Sequence, residues 1–328
     1  MSKESGVEAR KAVVRALLEG RSFVLPVHID PDGDSLGSSL ALAEALRILQ
    51  KEAVVVSRST MPELYSFLPG VETVIPIEEW VPAQDTVVLV DTGDLSRAGL
   101  KPSQVEGMKV VNIDHHASNR GYGDVAYVDA AACAAGEMVL WVLEDLGVSI
   151  SSPMAELLYV AIMTDTGCFR FGNTTESCFE SAAKLVALGA SPHWAATEVF
   201  EKRRLASVLL MGLALSGLKI SEDGRVCWVK VSRDMMEQTG ASEEDINGLV
   251  NYTRIVRGVE VGALFKQMDD GSTRVALRSN NYVDVARLAT RYGGGGHARA
   301  AGFSFPGGLD DAERQVTEEA KRAVEQSV

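Results

Sequence analysis

Residues 28–34 read His-Ile-Asp-Pro-Asp-Gly-Asp and follow directly on the apolar run 24–27. Asp is poor in helix and strand interiors alike. His28, Asp30, Asp32 and Asp34 therefore make either a solvated turn or a metal site. Three further stretches carry similar groups. "VVLVDTGD" ends an apolar run at Asp91, "VVNIDHH" ends one at Asp114, His115 and His116, and "AIMTDTG" ends a helix-like one at Asp165. Taken singly, each has a plainer explanation as a surface turn or a helix cap. Taken together they do not, because four of the five histidines (His28, His115, His116, His297) fall in motif-like stretches. His193, just inside a helix pattern, reads as structural.

Converging acids would repel one another unless cations sat among them. A nitrogen and oxygen donor set without sulfur favours Mn²⁺ or Mg²⁺, with Zn²⁺ also compatible. Asp32, Asp34, Asp91 and Asp165 carry four negative charges, which two divalent ions would neutralise, leaving a site able to accept a phosphate.

These groups need a scaffold. Short β-branched runs at 23–29, 53–57, 73–76, 85–91 and 109–114 alternate with helical patterns such as 35–50. That alternation predicts an α/β domain with a mostly parallel sheet, whose functional loops lie beyond the carboxyl ends of its strands. Helices follow in "AACAAGEMVLWVLEDLG", "SPMAELLYVAIM" and "TTESCFESAAKLVALG". The expected organisation is a first domain over 1–190, a connecting helix over 191–217 and a smaller α+β domain over 218–328. The second domain is read as a strand from Arg225, a helix over 242–256, a hairpin through "DDGS", a helix over 283–292, the run Gly293–Gly296, a strand and a terminal helix.

The 328 residues, 46% of them hydrophobic, suffice for two cores. Cys133, Cys168, Cys178 and Cys227 form no C-x-x-C pair and read as reduced thiols of a cytoplasmic protein. No run approaches the roughly 20 apolar residues of a membrane span. The net charge of −13 disfavours long duplex nucleic acid. Residues 250–300 nevertheless hold eight Lys or Arg against four Asp or Glu, which suits a small anion.

"HIDPDGD", "DTGD", "DHH" and "TDTG", in that order, resemble the DHH phosphoesterase superfamily, and "RYGGGGHARAAGF" resembles the glycine-rich signature of its associated DHHA1 domain. The similarity covers nearly the whole chain, and its spacing resembles the bacterial nanoRNase and pAp-phosphatase group. The resemblance implies a two-metal hydrolase that attacks phosphoesters with an activated water. Its substrates would be short oligoribonucleotides and 3′-phosphoadenosine 5′-phosphate (pAp), and a homodimer is the expected assembly. It implies one Mn²⁺ (or Mg²⁺) on His28, Asp32 and Asp91, and a second on Asp34, Asp91, His115 and Asp165. His116 would lie near the scissile phosphate, and Asp114 would orient a ligand histidine. Asp30 is not among the family's ligands. Arg278 and Ser279 match a substrate contact, with Arg254 and Arg257 as helpers. Gly294, Gly295, Gly296 and His297 would cradle a phosphate or base, and Asn119 would touch substrate. The alternative is a stand-alone cyclic-dinucleotide (c-di-AMP) phosphodiesterase.

Overall fold

The computed structural model describes residues 3–326; the side chains of residues 3–5 and of His297 lie outside the described set. The chain divides into two compact units, Met1–Lys202 and Arg203–Val328.

The first unit contains α1 (Lys3–Glu19), β1 (Ser22–Pro26), α2 (Gly33–Ile48), β2 (Glu52–Ser57), β3 (Ile75–Pro76), β4 (Thr86–Val90), β5 (Lys109–Asp114), β6 (Val125–Val128), α3 (Ala135–Asp145), α4 (Ser152–Asp165), α5 (Glu176–Ala187) and α6 (Pro192–Ala196). Its six strands form one parallel sheet in the order β3-β2-β1-β4-β5-β6. The order reverses between β1 and β4, and that switch point is where an open α/β sheet places its ligand crevice. Both faces of the sheet are buried, so β4 can be apolar from Val87 to Val90. Val88 and Val90 join the large helical core, while Val87 and Leu89 pack under the segment carrying Ile77, Trp80, Leu95 and Leu100.

Helix α2 begins where the Asp32 carboxylate accepts a hydrogen bond from the Ser35 amide at 3.0 Å. It is buried on nearly every side, small serines included, and packs against α4 and α3. The approach to α4 is so close that a Cβ on Gly37 would stand 2.3 Å from the Leu157 carbonyl oxygen. Helix α4 is capped by Ser151 and ends at Asp165. The close contact of α2 with α4 therefore fixes Asp34 relative to Asp165.

The second unit contains α7 (Leu205–Ser216), β7 (Lys219–Ile220), β8 (Val226–Val231), α8 (Arg233–Thr239), α9 (Asn251–Arg254), β9 (Val261–Gln267), β10 (Thr273–Ser279), α10 (Val285–Thr290), β11 (Gly295–His297), β12 (Ala300–Phe305) and α11 (Leu309–Gln326). Its mixed sheet runs β11-β12-β10-β9-β8-β7, with β8 and β9 parallel and the other pairs antiparallel. Ala312, Val316, Ala320 and Val324 make a four-residue stripe that seats α11 on one face. Leu210 and Ala214 of α7 join the core of the other face.

Several elements differ from the sequence expectation. The segment 191–217 is not one helix: α6 runs into a π-helical turn, Thr197–Glu201, and α7 starts afresh at Leu205. The helix expected over 242–256 is a 3₁₀ turn, Glu243–Ile246, and the single turn α9, because Gly248 between them takes φ +83°. The short strands β6 and β7 and the helix α8 carried no signal strong enough to be expected. The last two glycines of the run, with His297, form the short edge strand β11. A Cβ on Gly294 would lie 2.3 Å from the Gly302 carbonyl oxygen, and one on Gly296 would lie 2.4 Å from that of Ala300. Close approach of β12 is thus enough to demand glycine at both positions.

Candidate metal centre

The four motif stretches converge. His28, Asp32 and Asp34 follow β1 into α2, Asp91 follows β4, and Asp114, His115 and His116 close β5. Asp165 arrives from α4. Three overlapping groups result, each compact enough to hold an ion: His28, Asp32 and Asp91; Asp34, His115 and Asp165; Asp91, His115 and His116.

The local backbone aims these groups. Asp91 adopts φ +58°, a left-handed conformation costly for a residue with a Cβ, and Asp30 adopts φ +55°. The first turns the chain sharply off β4 and leaves the Asp91 carboxylate 3% exposed among the imidazoles. His28 Nδ1 lies 2.9 Å from the Ile29 carbonyl oxygen, which accepts its proton and leaves Nε2 facing the acids. His115 repeats the arrangement more loosely, with Nδ1 3.4 Å from the Ala132 carbonyl oxygen. A backbone acceptor on one ring nitrogen is the usual way to present the other as a metal ligand.

Asp91 stands between the two histidines. Its Oδ2 is 3.5 Å from His28 Nε2, and its Oδ1 is 3.4 Å from His115 Nε2. His115 Nε2 is also 3.8 Å from Asp34 Oδ2 and 3.8 Å from Asp165 Oδ2. Donors that share an ion about 2.1 Å away sit roughly 3.0–3.5 Å apart, so the Asp91–imidazole spacings suit shared ions, and the two 3.8 Å spacings are slightly longer. Asp91 Oδ1 is buried and accepts no hydrogen bond among the described residues, although buried carboxylate oxygens are ordinarily satisfied. An orphaned acceptor amid oxygen and imidazole donors fits a divalent cation.

The charges are strained without one. Burial, then Asp91 and Asp165, push the Asp34 carboxyl well above the usual carboxylate range. Burial and the neighbouring acids raise Asp165 to about 6, against the opposing pull of His115. Burial works against His28, but the carboxylates of Asp32 and Asp91 outweigh it and raise the ring to about 10. His115 reaches about 10 in the same way, through Asp91, Asp34 and Asp165. Asp34 is nevertheless held firmly. Its two oxygens accept from the Ala135 and Gly136 amides at the start of α3, at 2.7 and 2.8 Å, and from the Ser38 hydroxyl at 2.9 Å.

Other expected residues occupy different surroundings. Asp114 Oδ1 accepts from His116 Nδ1 at 2.6 Å, so the histidine it orients is His116. Asn119 is engaged within unit one, with Nδ2 2.7 Å from both Asn112 Oδ1 and Asp114 Oδ2. Ser279 is buried, and its hydroxyl donates to the Val283 carbonyl oxygen at 2.6 Å. Arg278 in unit two donates to its neighbour Leu277's carbonyl oxygen at 2.9 Å; burial and the Arg254 guanidinium lower its affinity for its proton. The His297 side chain lies outside the described residues. Sequence reasoning missed Asn173, whose Nδ2 reaches Asp165 Oδ2 at 3.1 Å and the Cys133 carbonyl oxygen at 2.8 Å. An Asn eight residues beyond a motif carries no local signal. The buried Asn112, in the middle of a strand, was a detectable anomaly.

A parallel α/β sheet with a sulfur-free Asp/His cluster beyond the carboxyl ends of its central strands defines an α/β protein with a candidate metal centre. More particularly, the chain belongs to the DHH family of phosphoesterases: residues 22–162 match the DHH family N-terminal domain and residues 223–326 the DHHA1 domain. It is 36% identical over 308 residues to the bifunctional oligoribonuclease and PAP phosphatase NrnA of Thermus thermophilus, covering 94% of this chain and 91% of that one. It is 30% identical to the Bacillus subtilis protein of the same name, covering 92% and 95%. A crystal structure of an exopolyphosphatase-related protein from Bacteroides fragilis superposes with a TM-score of 0.90 at 22% identity, covering 98% of this chain and 96% of that one, which shows the shared fold.

Proposed function

We propose that this phosphoesterase hydrolyses short oligoribonucleotides to mononucleotides and pAp to AMP. The single observation that carries the site assignment is the Asp91 carboxylate, buried, unsatisfied at Oδ1 and flanked by both ligand-presenting imidazoles. In this reading Asp91 bridges two divalent ions, one completed by His28 and Asp32 and the other by Asp34, His115 and Asp165. Mn²⁺ is the favoured metal, since the donors are carboxylate and imidazole without thiolate. Bound ions would supply an activated water and neutralise charge on the phosphate. The side chains have defined tasks: His28 and His115 present Nε2, and Asp114 holds His116 close to the cluster. Arg278 in the second unit offers a guanidinium for a substrate phosphate, with Gly294–Gly296 and His297 as further contacts. The names of the relatives support the substrate class.

Short substrates are favoured by charge. Residues 1–215 carry 17 Lys or Arg against 28 Asp or Glu, so a long strand gains no basic track. One enzyme preparation should be assayed with Mn²⁺ and with Mg²⁺ on pAp, on cyclic di-AMP and on end-labelled RNAs from two to about 24 nucleotides. The expected result is phosphate release from pAp and mononucleotide release, fastest on RNAs of about two to five nucleotides. Faster turnover of the longest RNAs, or of cyclic di-AMP ahead of every linear substrate, would overturn the assignment.

A further inference from the structure

We propose that Asn119 is a positioning residue for His116, acting through Asp114, and that buried Asn112 anchors it. The reading of the site as a phosphoesterase enters only through the activity readout below.

The orientation of both amides is fixed by groups whose chemistry is unambiguous. Asn119 Oδ1 accepts from the Gly121 and Tyr122 backbone amides at 2.9 and 3.2 Å, so its nitrogen must be the atom facing Asp114. Asn112 Nδ2 donates to the carbonyl oxygens of Leu89 and Thr92 at 3.3 and 2.8 Å, so its oxygen must face Asn119. The chain of bonds therefore has one sense. Asn119 Nδ2 donates to Asn112 Oδ1 and to Asp114 Oδ2. Asp114 Oδ1 in turn accepts from the His116 backbone amide at 3.2 Å and from His116 Nδ1 at 2.6 Å.

Two consequences follow. Asp114 is wholly buried, and a buried carboxylate needs donors. Asn119 supplies one on the side away from His116, so the other oxygen stays pointed at the ring. The His116 proton is then kept on Nδ1, which leaves Nε2 as the unprotonated nitrogen of the neutral ring. Asn112 also ties the Thr92 carbonyl, one residue after Asp91, into the same unit. The loop after β4 and the loop after β5 thus share one amide. An Asn119 side chain whose oxygen and nitrogen are both spent in this way has a part other than gripping substrate.

The variants Asn119→Ala, Asn119→Asp and Asn112→Ala distinguish the possibilities. Asn119→Asp keeps the acceptor for Gly121 and Tyr122 but faces Asp114 with a second carboxylate. Three readouts apply: metal uptake by calorimetry, the low-field proton signal of the ¹⁵N-labelled His116 Nδ1–H, and kcat and KM on pAp with Mn²⁺. In all three variants the expected result is retained metal binding, a lost or shifted His116 signal, and kcat lowered about 10- to 100-fold at nearly constant KM. If Asn112→Ala fails to fold, the two Asn119 variants carry the test. A wild-type Asn119→Asp would reduce Asn119 to a loop closure and overturn the proposal. So would a raised KM with unchanged kcat and unchanged signal, the mark of a substrate contact. If the wild-type protein turns over no pAp, the proposed function fails, while the proton signal still decides the clamp.

Discussion

Asp91 in the first unit and Glu260 in the second are both buried acids, at 3% and 2% exposure, and they meet burial in opposite ways. Glu260 accepts from the backbone amides of Asn281, Tyr282 and Val283 at 3.1, 2.7 and 2.9 Å, and from Asn281 Nδ2 at 3.1 Å. Both its oxygens are used, and the loop after β10 is organised around them. Among the described residues Asp91 has one oxygen without a hydrogen bond and three imidazoles within 3.6 Å. One acid is finished by its own fold. The other keeps an acceptor that a cation would fit. The contrast separates a structural carboxylate from a ligand on hydrogen bonding alone, where burial does not.

The largest expected effect attacks the open acid. Asp91→Ala removes the one carboxylate facing both ligand groups, so kcat should fall about a thousandfold or more, on the order of 4 kcal/mol in barrier. Metal content should fall with it, and circular dichroism should remain that of the folded protein. Near wild-type turnover would erase the contrast with Glu260. Glu260→Ala should do the reverse. It strands several buried amide donors, at about 1–3 kcal/mol each. Unit two should lose about 3 kcal/mol or more of stability in urea melts, while metal uptake by unit one stays unchanged.

Legibility from sequence followed the same division. The open site was readable because its groups stand at strand ends in unusual company: three Asp in five residues beside His28, then Asp91, then Asp114, His115 and His116. The parallel sheet was readable from alternating apolar runs. Glu260 was not, because a lone Glu before a strand looks solvated, and its partners lie more than twenty residues away. Asn173 and the shared role of Asn112 and Asn119 were hidden for the same reason. Each is defined by a long-range bond that no local pattern announces. Asn119 and Ser279 look unpartnered in the sequence because the groups they bond to are brought in by the fold. The break at Lys202–Arg204 carries no Pro or Gly, so an apolar run of helical period concealed it.

A smaller effect tests whether cations truly complete the open site. In the metal-free protein His28 and His115 both titrate near 10, so both are charged at neutral pH. A ligating imidazole must be neutral, so metal uptake must expel protons. Apparent Mn²⁺ affinity should therefore rise with pH between 6.5 and 8.5, by about tenfold per pH unit for each proton displaced. Calorimetry in buffers of different ionisation enthalpy counts those protons. An affinity flat across that range would mean the histidines are not ligands.

The smallest effect concerns the cost of keeping the site open. Asp165 is raised to about 6 in the fold from an ordinary value of 3.8. A raised carboxyl contributes stability that is full below the unfolded value and is lost as pH climbs through the folded one. Chelator-treated protein should accordingly lose stability from about pH 4 to pH 7. Asp165→Asn removes that titration and leaves an oxygen for Asn173 to donate to. Two pKa units in isolation would correspond to about 3 kcal/mol. The gain should be smaller, about 1 kcal/mol at pH 8, because His115 loses a countercharge in the same step. The variant should melt higher than wild type without metal, and lower than wild type with saturating Mn²⁺, which stabilises only a fold that can bind it. A crossing of the two melting series on metal addition is the signature of an acid retained for its ion. If Asp165→Asn destabilised the metal-free protein instead, Asp165 would belong with Glu260 as a structural carboxylate.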